Sequence, residues 1–167
     1  MPHLADGLAL ARWLSGNPSD AEDIVQEACL RALKGIDGFR GENGRAWLLT
    51  IVRNTAYGWL TRHRSRTLVM VGDLGDVEDA ASNTTSGGAD PGPSAEAALI
   101  RRADQEAVAT ALAQIALPMR EVLVLREINE LNYKDIADVL DLPVGTVMSR
   151  LSRGRQQLAL LLAKELG

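Results

Sequence analysis

The chain has 167 residues, of which 46% are hydrophobic and only 4% aromatic, with a formal net charge of −4. That length holds one medium domain or two small ones, and aliphatic side chains with alanine must do the packing. One cysteine, Cys29, excludes an internal disulfide, and His3 and His63 are too far apart in sequence to form a metal-ligand spacing.

Leu, Ala, Arg and Glu dominate and β-branched runs are few, so the expected fold class is all-α. No apolar run approaches membrane-spanning length, and the N-terminus lacks a charged-then-apolar signal pattern. A cytoplasmic protein without membrane insertion is expected. Charge is segregated along the chain. Arg45, Arg53, Arg62, Arg64 and Arg66 lie in a stretch from Arg45 to Gly72 that holds no acid. Eight acids face two bases between Asp73 and Glu106. The mildly acidic total thus hides a basic block, and nucleic-acid binding responds to local charge.

In chain order, a short helix is expected over about Leu4 to Leu14. Ser19-Asp20-Ala21-Glu22 after Pro18 reads as a capping box. The helix it opens has an apolar face of Ile24, Val25, Ala28, Cys29, Ala32 and Leu33. Cys29 in that stripe reads as a small buried hydrophobe rather than a reactive thiol. A glycine-punctuated loop, "GIDGFRGENGRAW", follows. It lacks the Gly-Lys-Ser/Thr ending of a nucleotide-binding loop and follows no evident strand, so it is no phosphate cradle of that kind. The next helix is expected from about Arg45 to His63, with Leu48, Ile51, Val52, Thr55 and Trp59 inward and Thr50, Asn54, Tyr57 and Thr61 on a polar face.

Residues 71–94, rich in Asp, Gly, Ser, Thr and Pro, read as a flexible acidic linker between a first domain at 1–70 and a second at 95–167. The second domain is expected to begin with helices at Ala95–Ile115 and Met119–Glu130. "NYKDIADVL" is a short helix with Ile136, Ala137 and Leu140 inward, and "DLPVG" is a turn. A long helix follows, with Thr146 as its N-cap and Val147, Leu151, Leu158 and Leu162 as its buried stripe. Gly154 falls near that stripe, where a close helix approach would justify its low helix propensity.

The last three elements have helix-turn-helix geometry. Thr146, Ser149, Arg150 and Arg153 share an exposed face near the start of the final helix. Hydroxyls and guanidinium groups there suit base edges and phosphates, and the helix N-terminus favours negative charge. Spacing alone leaves an ordinary helical hairpin with a solvated basic face as an alternative. In the basic block, Trp47 and Trp59 read as core aromatics. Phe39, the one phenylalanine, sits beside Arg40 in the glycine-rich loop, where it suits stacking on an unpaired base. No nucleophile–base pair, metal cluster or cofactor loop stands out, so neither an enzyme nor a small-molecule substrate is expected, and no cofactor.

"SDAEDIVQEACLRAL", "FRGENGRAWLLTIVRNTAYGWLTRHR" and "LPMREVLVLREINELNYKDIADVLDLPVGTVMSRLSRGRQQL" together resemble bacterial sigma factors of the extracytoplasmic-function (ECF) group. The first two segments resemble sigma region 2 and the third region 4. The resemblance implies a protein that binds core RNA polymerase and directs it to promoter DNA, under the control of an anti-sigma factor. It implies that Asp20, Asp23, Gln26 and Glu27 dock on the polymerase. The loop of Ile36, Asp37, Gly38, Phe39, Arg40 and Asn43, with Asn54 and Tyr57, would capture a flipped base of the −10 element. Arg53, Arg62, Arg64 and Arg66 would neutralise nearby phosphates. Thr146, Met148, Ser149, Arg150 and Arg153 would read the −35 element. Met148 stands where many members of that group carry a basic residue, and Gly154 where alanine is usual. A free-standing helix-turn-helix regulator of duplex DNA is the competing reading. It has no use for the "DAEDIVQE" surface or for the aromatic, basic block.

Overall fold

The computed structural model describes residues 2–70 and 95–166, with side chains through His63 and from Ala95 to Glu165. Residues 71–94, read above as a linker, lie outside the described residues, as do the side chains of Arg64 and Arg66. Every regular element among the described residues is helical: α1 (Leu4–Ser15), α2 (Pro18–Gly35), α3 (Gly44–Met70), α4 (Ala95–Gln114), α5 (Leu117–Leu123), α6 (Tyr133–Leu140) and α7 (Val144–Leu166). A single 3-10 turn at Ile36–Gly38 precedes α3, and a π-helical turn at Val124–Ile128 extends α5.

Helices α1, α2 and α3 pack on one another as one bundle, and α4, α5 and α6 pack on α7 as a second. The bundles also touch, through α3 on α6 and α1 on α5. Leu10, Leu14, Ile24, Leu49 and Val52 fill the first bundle and Leu123, Leu125, Ile136, Val147 and Leu151 the second, within one continuous hydrophobic core. Each such side chain contributes about 1.5–3 kcal/mol by leaving water.

Local chemistry sets the helix ends. Asn17, not Ser19, caps α2: its Oδ1 accepts from the Ser19 and Asp20 amides at 2.8 and 3.3 Å. Pro18 stands at the first helical position, where its missing N–H and fixed φ are an advantage, and this moves the cap upstream. Gly16 closes α1 at φ 72°, a left-handed conformation that glycine enters without a Cβ clash. Thr146 is no N-cap either. The last helix already begins at Val144, and the Thr146 amide donates to the Pro143 carbonyl. The region expected as one helix over 119–130 is broken where the Asn129 amide reaches five residues back to the Val124 carbonyl. Asn129 is buried, which turns the chain inward at this point.

Leu33, expected in the core, is 58% exposed; Ala21, Ile24, Ala28 and Ala32 form the buried stripe of α2 instead. Cys29 is half-buried beside that stripe. Gly154 is buried, and a Cβ there would lie 3.0 Å from Leu123 Cδ1, so the close approach expected for it exists between α7 and α5.

Candidate nucleic-acid and polymerase interface

The α6–turn–α7 unit holds the helix-turn-helix residues. Asn132 caps α6, its Oδ1 accepting from the Asp135 amide at 2.8 Å, and Asp141 ends the helix at φ 53°. Val147, Leu151 and Gly154 face inward, so at 100° per residue Ser149 and Arg153 point away from the core and are exposed. Arg150 and Thr146 lie on one flank of that outer face, half-buried, and Met148 lies on the other at 52% exposure. Arg150 Nη1 approaches Glu121 Oε1 at 4.0 Å. Arg155, further along, pairs with Glu127 at 2.8 Å, and that hydrogen bond raises its pKa above the ordinary arginine value. Arg153 has no ion pair among the described residues, so it presents its charge directly to solvent.

On α3 the arginines whose side chains are described are engaged. Asn43 is the working N-cap: its Oδ1 accepts from the Ala46 amide at 3.1 Å, while its Nδ2 donates to Asp135 Oδ1 at 3.1 Å. Arg45 pairs with Asp6 at 2.9 Å and also donates to the Asn129 carbonyl. Arg53 donates through Nε to Glu121 Oε2 at 3.0 Å and through Nη2 to Oε1 at 3.4 Å. Burial works against the Arg53 cation, but the Glu121 carboxylate outweighs it and raises its pKa. The same guanidinium lies 4.1 Å from the Tyr57 ring centroid and donates to Asn54 Oδ1 at 3.2 Å. The Tyr57 hydroxyl is buried and makes no hydrogen bond among the described residues; burial, then the charge of Glu121, pushes its pKa up to about 12. Arg62 donates to Glu27 Oε2 at 3.2 Å, so it ties α3 to α2.

The loop residues Ile36, Asp37, Gly38 and Arg40 are exposed, and Phe39 is half-buried with its ring 4.8 Å from that of Trp47. Trp47 and Asn54 are two helical turns apart on one face of α3, about 10 Å along the axis. The fold therefore brings Phe39 to one end of a stripe whose other end is Asn54, rather than into contact with Asn54. On α2, Asp23 and Gln26 are exposed, Asp20 is half-buried, and Glu27 accepts from both Arg31 and Arg62. Beside Asp23 and Gln26 stand Leu30 and Leu33, 60% and 58% exposed, an apolar strip that the sequence reading did not assign to any site. Two exposed leucines three residues apart next to acids signal such a strip, but Leu33 also satisfies the core periodicity and was absorbed there.

A cleft of about 650 Å³ separates the bundles on the side of α1 and α4, lined by Arg12, Trp13, Asn17, Glu22, Ala109 and Arg120 among others. Arg120 donates to the Ile115 carbonyl at 2.8 Å and the Ala113 carbonyl at 2.9 Å, closing the end of α4, and its burial lowers its pKa. No helix among the described residues is long and apolar enough to cross a membrane.

Residues 2–66 match the sigma-70 region 2 family, and residues 105–158 match sigma-70 region 4. The ECF RNA polymerase sigma factor EcfG of Rhodopseudomonas palustris (strain TIE-1) is 36% identical over 156 residues, which span 92% of this chain and 77% of that protein. The ECF RNA polymerase sigma-E factor of Escherichia coli (strain K12) is 34% identical over 139 residues, 82% of this chain and 71% of its own length. Among solved structures, the sigma factor RpoE in complex with the anti-sigma factor NepR from Bartonella quintana superposes with a TM-score of 0.72 at 29% identity, over 96% of this chain and 91% of that one.

Proposed function

The chain belongs to the ECF group of the sigma-70 family, the subunits that direct core RNA polymerase to promoters, and from that premise we propose how its two bundles divide the work. The α1–α3 bundle docks on the polymerase and holds the melted −10 strand, and the α4–α7 bundle reads the −35 element in duplex DNA. The observation that carries this division is the contrast in chemistry of the outward faces. The outer face of α7 carries a hydroxyl, Ser149, and a cation without an ion pair among the described residues, Arg153, near the start of a helix that follows a tight turn. Such a face fits the major groove. Along α3, Trp47 lies next to the Phe39 loop, and Arg53, Asn54 and Tyr57 follow about two to three turns further on. Aromatic platforms beside a side-chain amide suit an unstacked base, and the flanking arginines suit its phosphates.

Polymerase docking falls to the outer face of α2. Asp23 and Gln26 supply polar contacts, and Leu30 and Leu33 supply the apolar area that an interface core requires. Glu27 contributes chiefly by holding Arg31 and Arg62 in place. The protein adds no catalytic group of its own; RNA synthesis is the polymerase's chemistry, and the protein works with it in the cytoplasm. Its likeness to a sigma factor solved with its anti-sigma partner supports control by an anti-sigma factor, for which the cleft between α1 and α4 offers a recess.

Run-off transcription with bacterial core polymerase on a genomic promoter library tests the reading. Transcripts that depend on the protein and share two spaced upstream elements are expected. Arg153→Ala should impair use of the upstream element and Asn54→Ala the opening at the downstream one, with polymerase binding retained in both. Tight binding of duplex DNA by the protein alone, without any transcript, would replace this reading with that of a free-standing regulator.

A further inference from the structure

The cleft on the side of α1 and α4 collects charges that the fold leaves unanswered. Arg12, in the last turn of α1, and Glu22, near the start of α2, both line it and are both exposed. Neither has an ion pair among the described residues. Arg120, at the start of α5, lines the same cleft and is half-buried. Its Nε and Nη2 are engaged by the carbonyls of Ile115 and Ala113, which carry no charge, and no carboxylate pairs with it among the described residues. Burial lowers its pKa, as expected of a cation without a counterion. The apolar part of the lining is flat. Trp13 of α1 presents a half-buried ring, and Ala109 and Ala113 of α4, one helical turn apart, project only methyl groups. At about 650 Å³ the cleft has the size of a small-molecule site.

We propose that this cleft binds a guanine nucleotide, with its phosphates on Arg12 and Arg120, its base against Trp13 and the donor edge of the base on Glu22. The proposal goes beyond the promoter reading and does not rest on it. Two guanidinium groups without carboxylate partners suit phosphate oxygens, whose geometry matches the guanidinium fork. The Ser19 hydroxyl, on the α2 wall one turn before Glu22, adds a neutral donor. The N-terminus of α2 takes no part, because Asn17 Oδ1 already accepts from the Ser19 and Asp20 amides. The indole of Trp13 and the bare alanines opposite charge at its edges leave room for a planar ring to stack. Glu22 decides which ring. An ionised carboxylate only accepts hydrogen bonds. Guanine offers it two adjacent donors, N1–H and the 2-amino group, whereas adenine sets an acceptor nitrogen beside its one amino group and would be repelled there. Arg12, Trp13 and Glu22 come from the first bundle and Ala109, Ala113 and Arg120 from the second. The ligand therefore has a site only on the folded chain and stabilises it by mass action.

Isothermal titration calorimetry of the full chain with GDP, ADP and pyrophosphate, in magnesium-free buffer, tests the proposal. GDP should bind at one site and raise the thermal midpoint. It should bind about tenfold more tightly than ADP, which cannot satisfy Glu22, and more tightly than pyrophosphate, which lacks the base. Arg12→Ala should weaken GDP about tenfold by removing one charge-assisted contact. Glu22→Gln should shrink the preference for GDP over ADP to about twofold or less, because the amide can turn either its donor or its acceptor to the base. Both side chains are exposed, so both variants should keep the circular dichroism of the parent. Absence of heat with GDP at millimolar concentration would overturn the proposal. So would equal affinity for GDP and ADP in the parent. Pyrophosphate binding as tight as GDP would mean an adventitious anion site only, and GDP binding that survives Arg12→Ala undiminished would place the nucleotide on another basic surface, such as that of α7.

Discussion

Helices α3 and α7 are alike in plan. Each is long, carries several arginines, buries an aliphatic stripe and turns a polar face outward. They differ in what their cations do. On α3, Arg45, Arg53 and Arg62 all have carboxylate partners, each on another helix. On α7, Arg155 pairs with Glu127 at 2.8 Å, but near the start of the helix Arg153 has no partner among the described residues and Arg150 only a loose one at 4.0 Å. Net charge does not separate these helices; the wiring of each charge does. A cation already satisfied by a buried carboxylate contributes little to attracting phosphate, whereas a solvated one contributes fully.

The largest expected effect probes that difference directly. Arg153→Ala should weaken binding of promoter duplex by about 1–3 kcal/mol if the guanidinium reads a base. Arg53→Ala in the polymerase-free protein should change DNA binding far less, because Glu121 already occupies its donors. Side-by-side filter binding on the purified proteins checks this, and equal losses would erase the distinction between the two helices. Next in size is Gly154→Val. A Cβ at Gly154 meets Leu123 Cδ1 at 3.0 Å and Cγ at 3.1 Å, in a core where Leu123 is nearly inaccessible. Overpacking there should cost about 2 kcal/mol in urea unfolding and displace α7 from α5. Undiminished stability would mean that the recognition helix is not seated by this contact.

Much of α7 was legible in the sequence, and much of α3 was not. The apolar positions of α7 recur at helical spacing, so Val147, Leu151 and Gly154 could be placed inward and Ser149 and Arg153 outward without coordinates. The pairing of Arg53 with Glu121 joins residues 68 apart and that of Asn43 with Asp135 residues 92 apart, and no local pattern encodes either. Capping misled for a different reason. Asn17 and Ser19 are both good cap residues, and Pro18 decides between them only because it must sit at the first helical position. Leu33 satisfied the core periodicity of α2, yet small alanines at positions 21, 28 and 32 bring α2 so close to its neighbours that the leucine is left outside.

Asn43 yields a smaller effect that divides its two jobs. Asn43→Ala removes both the α3 cap and the bridge to Asp135, and should lower stability by about 1 kcal/mol. Asn43→Asp keeps an acceptor for the Ala46 amide but sets a carboxylate against Asp135. Its thermal midpoint should stay nearer the parent's while the distance between the bundles grows. If both variants lose stability equally, the residue's value lies in the bridge rather than the cap.

The smallest effect concerns Tyr57, where α3 buries a hydroxyl that makes no hydrogen bond among the described residues. Tyr57→Phe forfeits no hydrogen bond and keeps the ring under Arg53, so stability near pH 7 should change by less than about 0.5 kcal/mol. The two proteins should part at alkaline pH. In the folded chain Tyr57 gives up its proton near pH 12, in the unfolded chain near the ordinary 10.0. A raised folded value means that the stability tied to the neutral phenol is complete below pH 10.0 and drains away as pH climbs toward 12. Urea midpoints of the parent should therefore fall more steeply than those of Tyr57→Phe between these limits, with the separation softened by solvent because the ring is only half-buried. Parallel curves would mean that the phenol opens to water before it ionises, and with it the Arg53 grip that sets α3 apart from α7.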